Sequence, residues 1–208
     1  MERILSLDMS TKTGWALLVS KNDGTYELEQ YGRVPQIHMP DGPYPGSFIE
    51  WAHSCFDRIM VIIKQTMPDV LVIEETSAGS KAVYTQKILE YIHFLIAQFI
   101  ASGNIKAIYI MSEQWRRETG CVMSKEEKKK NKEVRDYKKK KAIETGVKPT
   151  VAKDKDGKRI GIVGRKHVNV RRANEVFGKF LKEPLKRKDE DTADSLLLGY
   201  CYHLRKHK

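Results

Sequence analysis

The first 34 residues constrain the fold more than any other part of the chain. The stretches "ERILSLD" (2–8), "TGWALLV" (13–19) and "YELEQYGRV" (26–34) are rich in strand formers, and only short polar links separate them. The second link holds Asp23-Gly24, a hairpin signal. Connections this short join antiparallel neighbours, because a parallel pair needs a crossover of about a dozen residues or more. Three antiparallel strands are therefore expected to open the protein. Four prolines, Pro35, Pro40, Pro43 and Pro45, with Gly42 and Gly46, then mark a loop.

The pattern changes beyond that loop. Residues 47–67 carry apolar side chains at helical spacing, with Ser47 as an expected cap and Glu50 three residues on. "VLVIEE" (70–75) is a short continuous apolar run, as expected of a central strand covered on both faces. A long helix is expected over 82–103 and a further strand over 105–111. Three strands, helix, strand, helix, strand give an α/β architecture with a sheet of mixed direction. Helices over 169–181 and 189–206 close the chain.

Charge is distributed unevenly. The net charge is +11, yet residues 123–167 hold 17 Lys and Arg against 7 Asp and Glu, and the remainder holds 21 against 20. Almost the whole excess lies in one inserted segment. Localised positive charge of this kind suits a polyanion such as nucleic acid. Residues 125–144 combine helix formers with almost no apolar stripe, and 147–166 read as a hairpin or loop with an Asp156-Gly157 turn. No apolar run reaches the roughly 18 residues that span a bilayer, and the N-terminus lacks the pattern of a signal peptide. Three scattered cysteines, Cys55, Cys121 and Cys201, exclude a disulfide framework and suit a reducing, cytoplasmic setting.

The negative charges define the chemistry. Asp8 ends the first strand, Glu74 and Glu75 end "VLVIEE", and Asp191 and Asp194 lie three apart in the first turn of the last helix. Each position has an ordinary explanation, since strand ends are polar and acids favour helix N-termini. Carboxylates that converge repel one another unless divalent cations sit between them, and hard oxygen donors suit Mg²⁺ or Mn²⁺. Two such ions stabilise the attacking water and the leaving oxygen in phosphodiester hydrolysis.

"ILSLDMSTKTGWAL", "VLVIEE" and "DEDTADSLLLGY" together resemble the three acidic motifs of the RuvC-type Holliday-junction resolvases, within the RNase H-like superfamily; the likeness is greatest to those found in phages. It spans the chain in order, apart from roughly residues 120–166. The resemblance implies a single RNase H-like nuclease domain over residues 1–208 with a lysine-rich insertion at about 123–167, before the last two helices. Its sheet would have five strands, three antiparallel then two parallel, flanked by helices. It also implies that Asp8, Glu74, Asp191 and Asp194 are catalytic and bind two Mg²⁺ ions, with Mn²⁺ able to substitute. Cleavage would leave a 5′-phosphate, and Glu74 is preferred over Glu75 because the family places the acid directly after the apolar run. Cellular members have Gly two residues after the first aspartate, where this chain has Ser10. They also carry an aromatic or apolar residue shortly after the glutamate, where this chain has small residues up to Lys81 and Tyr84.

DNA contacts are expected from Ser10, Thr11 and Lys12 after the first strand, from Lys81, and from Arg116 and Arg117 after the last strand. Lys128, Lys129, Lys130, Lys132, Arg135, Lys138, Lys139, Lys140 and Lys141 would form a phosphate-binding surface if helical, extended by Arg171 and Arg172. Trp115 reads as core, His93 as a packed histidine, and His203 and His207 carry no assignment. The helix over 87–100 is apolar on more than one face, and a four-way junction has two-fold symmetry, so a homodimer on branched DNA follows. The competing readings are a flap, fork or RNA–DNA hybrid nuclease, a non-catalytic DNA-binding protein, and an actin-like phosphotransferase. The last would need a second phosphate-binding domain, for which 208 residues leave too little chain.

Overall fold

The computed structural model describes residues 1–75, 83–103, 105–147, 149–153 and 159–208. Lys81 and the Asp156-Gly157 turn lie outside the described residues. Strands β1 (Glu2–Asp8), β2 (Gly14–Ser20) and β3 (Tyr26–Arg33) form the expected antiparallel meander. Helix α1 (Gly46–Thr66) leads to β4 (Val70–Glu75), and α2 (Val83–Ser102) leads to β5 (Lys106–Met111). β4 pairs parallel to β1, and β5 parallel to β4, so the sheet order is β3-β2-β1-β4-β5. This is the five-stranded mixed sheet that the resemblance implied.

Alternation along each strand divides the interior into two cores. Leu5, Leu7, Leu17, Leu71 and Ile73 face α1 and α2, where they meet Ile59, Ile63, Ile88 and Ile92. Ile4, Ala16, Leu18, Val70 and Val72 face the other way. They pack against α5 (Arg165–Phe177) and α6 (Glu190–Lys206), through residues such as Ala173, Phe177, Ala193 and Leu197. β1 and β4 are buried on both faces, which is why they read as near-continuous apolar runs. Fully burying each such side chain stabilises the fold by about 1.5–3 kcal/mol, so the register of β1 on β4 is strongly held.

Short α3 (Ser112–Glu118) follows β5 directly, and α4 (Lys125–Thr145) carries most of the inserted lysines. A capping box starts α4, in which Ser124 accepts from the Glu127 amide and Glu127 accepts from the Ser124 amide. Two-residue strands β6 (Ala152–Lys153) and β7 (Arg159–Ile160) pair antiparallel, in line with a hairpin in 147–166.

Two element starts differ from expectation. Ser47 does not cap α1: the cap position is Pro45, no side chain caps it, and the Ser47 hydroxyl donates to the Pro43 carbonyl instead. α5 spans Arg165–Phe177, because Gly164 ends an extended segment and the buried stripe already begins at Val168. Among the described residues no helix is long and apolar enough to cross a membrane.

Candidate active site

Strand register places the first two acids. Ile4 pairs with Val70 and Ser6 with Val72, so Asp8 and Glu74 come next on the same face, the one covered by α6. Glu75 falls on the opposite side of the pleat and is exposed, which removes it from the site.

The other two acids are brought in by a missing side chain. Gly14 pairs with Asp8 across the hairpin, and a Cβ built on Gly14 would lie 2.0 Å from the Asp191 carbonyl oxygen. Only glycine lets the first turn of α6 rest on the sheet at that point. Gly199 repeats the device farther along α6, where a Cβ would lie 2.7 Å from the Ser6 hydroxyl oxygen. The helix therefore lies flat on β1 and β2, with Asp191 and Asp194 over the end that carries Asp8.

Each acid then has its own surroundings. Glu74 accepts a 2.9 Å hydrogen bond from the indole nitrogen of Trp115, which is fully buried. Asp194 accepts from the Asn169 amide at 2.8 Å and from the Arg116 guanidinium at 3.4 Å. The same guanidinium lies over the Trp115 ring, 4.5 Å from its centroid. Asp191 stands 3.8 Å from Arg33, and its neighbour Glu190 is paired with Lys166. Asp8 has no ion-pair or hydrogen-bond partner among the described residues.

Burial combined with too little positive charge shifts the titrations. Asp8 is pushed well above the usual carboxylate range by burial and by the charges of Asp194, Glu74 and Asp191, with Arg116 opposing. Burial raises Asp194 to about 6 against the pull of Arg116 and Asn169. It also raises Glu74, against Trp115 and Arg116, and Asp191, against Lys166, Arg33 and Lys12. Asp8, Glu74 and Asp194 share the Arg116 guanidinium, and Asp191 is faced by Arg33, so the four carboxylates outnumber the cations beside them.

Such a donor set suits a hard divalent cation: it is all oxygen, partly desolvated, and left unneutralised by the protein at Asp8. Among the described residues no three of these side chains close up as a ready-made metal cage. Asp194 is engaged by Arg116 and Asn169, and Glu74 by Trp115.

The expected DNA contacts are only partly free for that role. Arg117 is exposed, whereas Arg116 is taken up by Asp194. Without DNA, Arg171 forks onto Glu127 of α4 at 2.6 and 3.3 Å, and Arg172 donates to the Thr119 carbonyl and to Glu175 on its own helix. Ser10 and Thr13 bond each other across the turn after Asp8, and Lys12 donates its amide to Ser10. On α4, Lys128, Lys129, Lys130, Lys132, Arg135, Lys139 and Lys140 are exposed. Lys138 donates to the Thr150 carbonyl and Lys141 pairs with Glu144.

Sequence reading missed Asn169 and the hydrogen bond of Trp115. The signal for Asn169 is a polar side chain within the buried stripe of α5, beside Val168, Val170 and Ala173. His203 of the last helix and His207 just after it both reach the buried Ser20 hydroxyl, at 2.9 and 3.0 Å.

Three solved structures superimpose on essentially the whole chain. RuvC from T. thermophilus in complex with Holliday junction substrate is 12% identical, with TM-score 0.57 and coverage of 99% of this chain and 95% of that one. Thermus thermophilus RuvC alone is 14% identical, with TM-score 0.56 and coverage of 99% and 96%. The chain has the RuvC fold. The yeast mitochondrial Holliday junction resolvase is 12% identical, with TM-score 0.51 and coverage of 99% and 81%. No family model matches the sequence, and no curated protein matches it. The likeness is thus one of fold, at 12–14% sequence identity, and the acids of this chain stand at the strand ends and helix start that the fold brings together.

Proposed function

We propose that the chain is a metal-dependent, structure-selective DNA endonuclease that cuts Holliday junctions and related branched DNA. One observation carries this reading. Four carboxylates from β1, β4 and α6 meet at one end of the sheet in a RuvC fold, with more negative charge than the protein neutralises. The lysine-rich α4 supplies the surface that a polyanionic substrate needs. Residues 1–208 act as one nuclease domain, with 123–167 as its basic insertion.

Asp8, Glu74, Asp191 and Asp194 would hold the cations, two Mg²⁺ with Mn²⁺ as a substitute. When bound, such ions lower the pKa of water and neutralise charge on the phosphate being cut. The chain's own residues prepare the site for this. Trp115 fixes the Glu74 carboxylate, and Asn169 fixes that of Asp194, so neither has to be ordered when substrate arrives. Arg116 holds positive charge beside Asp194, where a guanidinium would also suit a phosphate oxygen of the substrate. Exposed lysines of α4 bind phosphates with little sequence information. The two-fold symmetry of a four-way junction supports action as a homodimer, and three free cysteines suit a reducing cytoplasm.

The test is cleavage of end-labelled four-way junctions, forks, flaps, duplex and RNA–DNA hybrid, in Mg²⁺ or EDTA, by the wild type and by Glu74→Gln. Paired nicks across the four-way junction are expected, lost in EDTA and reduced about 10³-fold in the variant, a change of several kcal/mol. Cutting of forks and flaps alone would make the chain a flap nuclease. Equal cutting by Glu74→Gln would remove the acidic site from the mechanism.

A further inference from the structure

A cavity of about 290 Å³ opens next to Asp194, between α3, the start of α4 and α5. That is at the small end of ligand clefts, roughly 300–1,000 Å³. Its walls divide by chemistry. Val122, Met123 and Val168 make one side apolar, and Val122 is 61% exposed at the mouth. Arg117, Lys128 and Arg165 stand around it against the single acid Glu113. Neither Lys128 nor Arg165 has an ion-pair partner among the described residues.

The third part of the wall is shared with the candidate active site. Arg116 and Asn169 line this cavity, and both also hold the Asp194 carboxylate. Each keeps a second polar atom buried without a protein hydrogen-bond partner among the described residues: the Arg116 Nε donor and the Asn169 Oδ1 acceptor. A buried donor or acceptor left unmade costs about 1–3 kcal/mol, so the two residues that join this cavity to Asp194 are also held at some cost to the fold.

Apolar and cationic side chains around one cavity beside Asp194 suit a nucleotide. The apolar residues suit the faces of a base and the cations its phosphate. Taking a base out of its stack costs least where its pairing is already broken. We propose that this cavity receives one unstacked nucleotide of the strand being cut, adjacent to the scissile phosphate. The proposal rests on the nuclease reading and deepens it: the occupied pocket draws on Arg116 and Asn169, so recognition of an opened base is coupled to placement of Asp194. Branch selectivity then comes from the ease of opening a base rather than from an aromatic wedge.

The test places 2-aminopurine, one position at a time, along the strand on either side of the nick in a four-way junction. Glu74→Gln protein serves as the binding-competent, non-cutting form. One position next to the nick is expected to brighten on binding, because the cavity has no aromatic lining residue to quench the base. Val122→Glu, which sets a carboxylate at the mouth from an exposed position, leaves the core intact and adds no aromatic quencher, abolishes that signal. In the cutting-competent background it slows cleavage roughly 10- to 100-fold, as expected when a reacting strand loses its positioning. Arg165→Ala reduces the signal and weakens junction binding. If the wild type binds and cuts junctions but no position brightens, or the brightening survives Val122→Glu, the pocket proposal is overturned and the nuclease reading stands. If the wild type neither binds nor cuts junctions, the nuclease reading itself fails and the pocket falls with it.

Discussion

The acidic cluster and the lysine helix are opposite solutions to the handling of charge. Asp8, Glu74, Asp191 and Asp194 come from three elements spread over nearly the whole chain, and the fold forces them together against their repulsion. The lysines of α4 are neighbours in sequence and stand in water, with only Asn131 and Val134 of that helix buried. Solvated charge costs little, so α4 needs composition more than position. Desolvated like charge costs stability, so every acid depends on register, on a glycine, or on a clamping partner. Position governs the acidic end and number governs the basic one.

That contrast breaks most readily at Gly14. Gly14→Ala sets a methyl against the Asp191 carbonyl oxygen, and α6 must move off the sheet. We expect cleavage to fall by about 10²-fold, since small displacements of reacting groups have effects of this size, and stability to fall by about 1–3 kcal/mol from overpacking. Junction cleavage and urea unfolding would show both. Near-normal activity would mean that α6 is not held where this packing puts it.

An effect on stability of opposite sign should come from Asp194. Its pKa is 3.8 in the unfolded chain and about 6 when folded, so the folded protein keeps a proton that the unfolded chain releases between those values. Stability of the metal-free protein therefore falls as pH rises through about 4 to 6 and stays lower above that window. Asp194→Asn removes the penalty and is expected to stabilise the metal-free protein at pH 8 by about 2–3 kcal/mol while abolishing cleavage. Thermal unfolding in EDTA at pH 4.5 and pH 8 checks the sign, and equal shifts at both pH values would refute it. Added Mg²⁺ should raise the melting temperature more at pH 8 than at pH 5, because protons compete for the same oxygens.

The basic region should respond in binding alone. Neutralising Lys129, Lys130 and Lys132 to Gln removes three exposed charges. The slope of log binding constant against log salt should flatten by about 0.9 for each duplex phosphate the protein no longer neutralises, with stability unchanged within about 0.5 kcal/mol. A drop in stability instead would show α4 to be part of the core, and the contrast between the two regions would fail.

Much of this architecture was legible because burial writes itself into sequence. β1 and β4 are covered on both faces, so they appear as apolar runs, and carboxylates that end such runs stand out. The short links before β2 and β3 left antiparallel pairing as the only course. α4 was legible as a charged helix because it needs no apolar stripe. Local pattern misled where a partner far along the chain decides the outcome. The contacts of Arg171 with Glu127 and of Arg172 with the Thr119 carbonyl could not be read from their own segment. Ser47 looks like a cap until its hydroxyl turns to Pro43.

By itself the sequence determined the succession of strands and helices along the chain, the candidate acids at element ends and the location of the positive charge, because these follow from local periodicity and composition; the order of strands in the sheet and the preference for Glu74 over Glu75 came with the family resemblance. Tertiary structure alone decided that Gly14 seats α6 beside Asp8 and that Trp115, Arg116 and Asn169 clamp the acids. It also decided that the last two of these residues wall a cavity. The reason is that side chains meet across separations such as the 78 residues between Arg116 and Asp194, and no local pattern encodes a meeting over that distance.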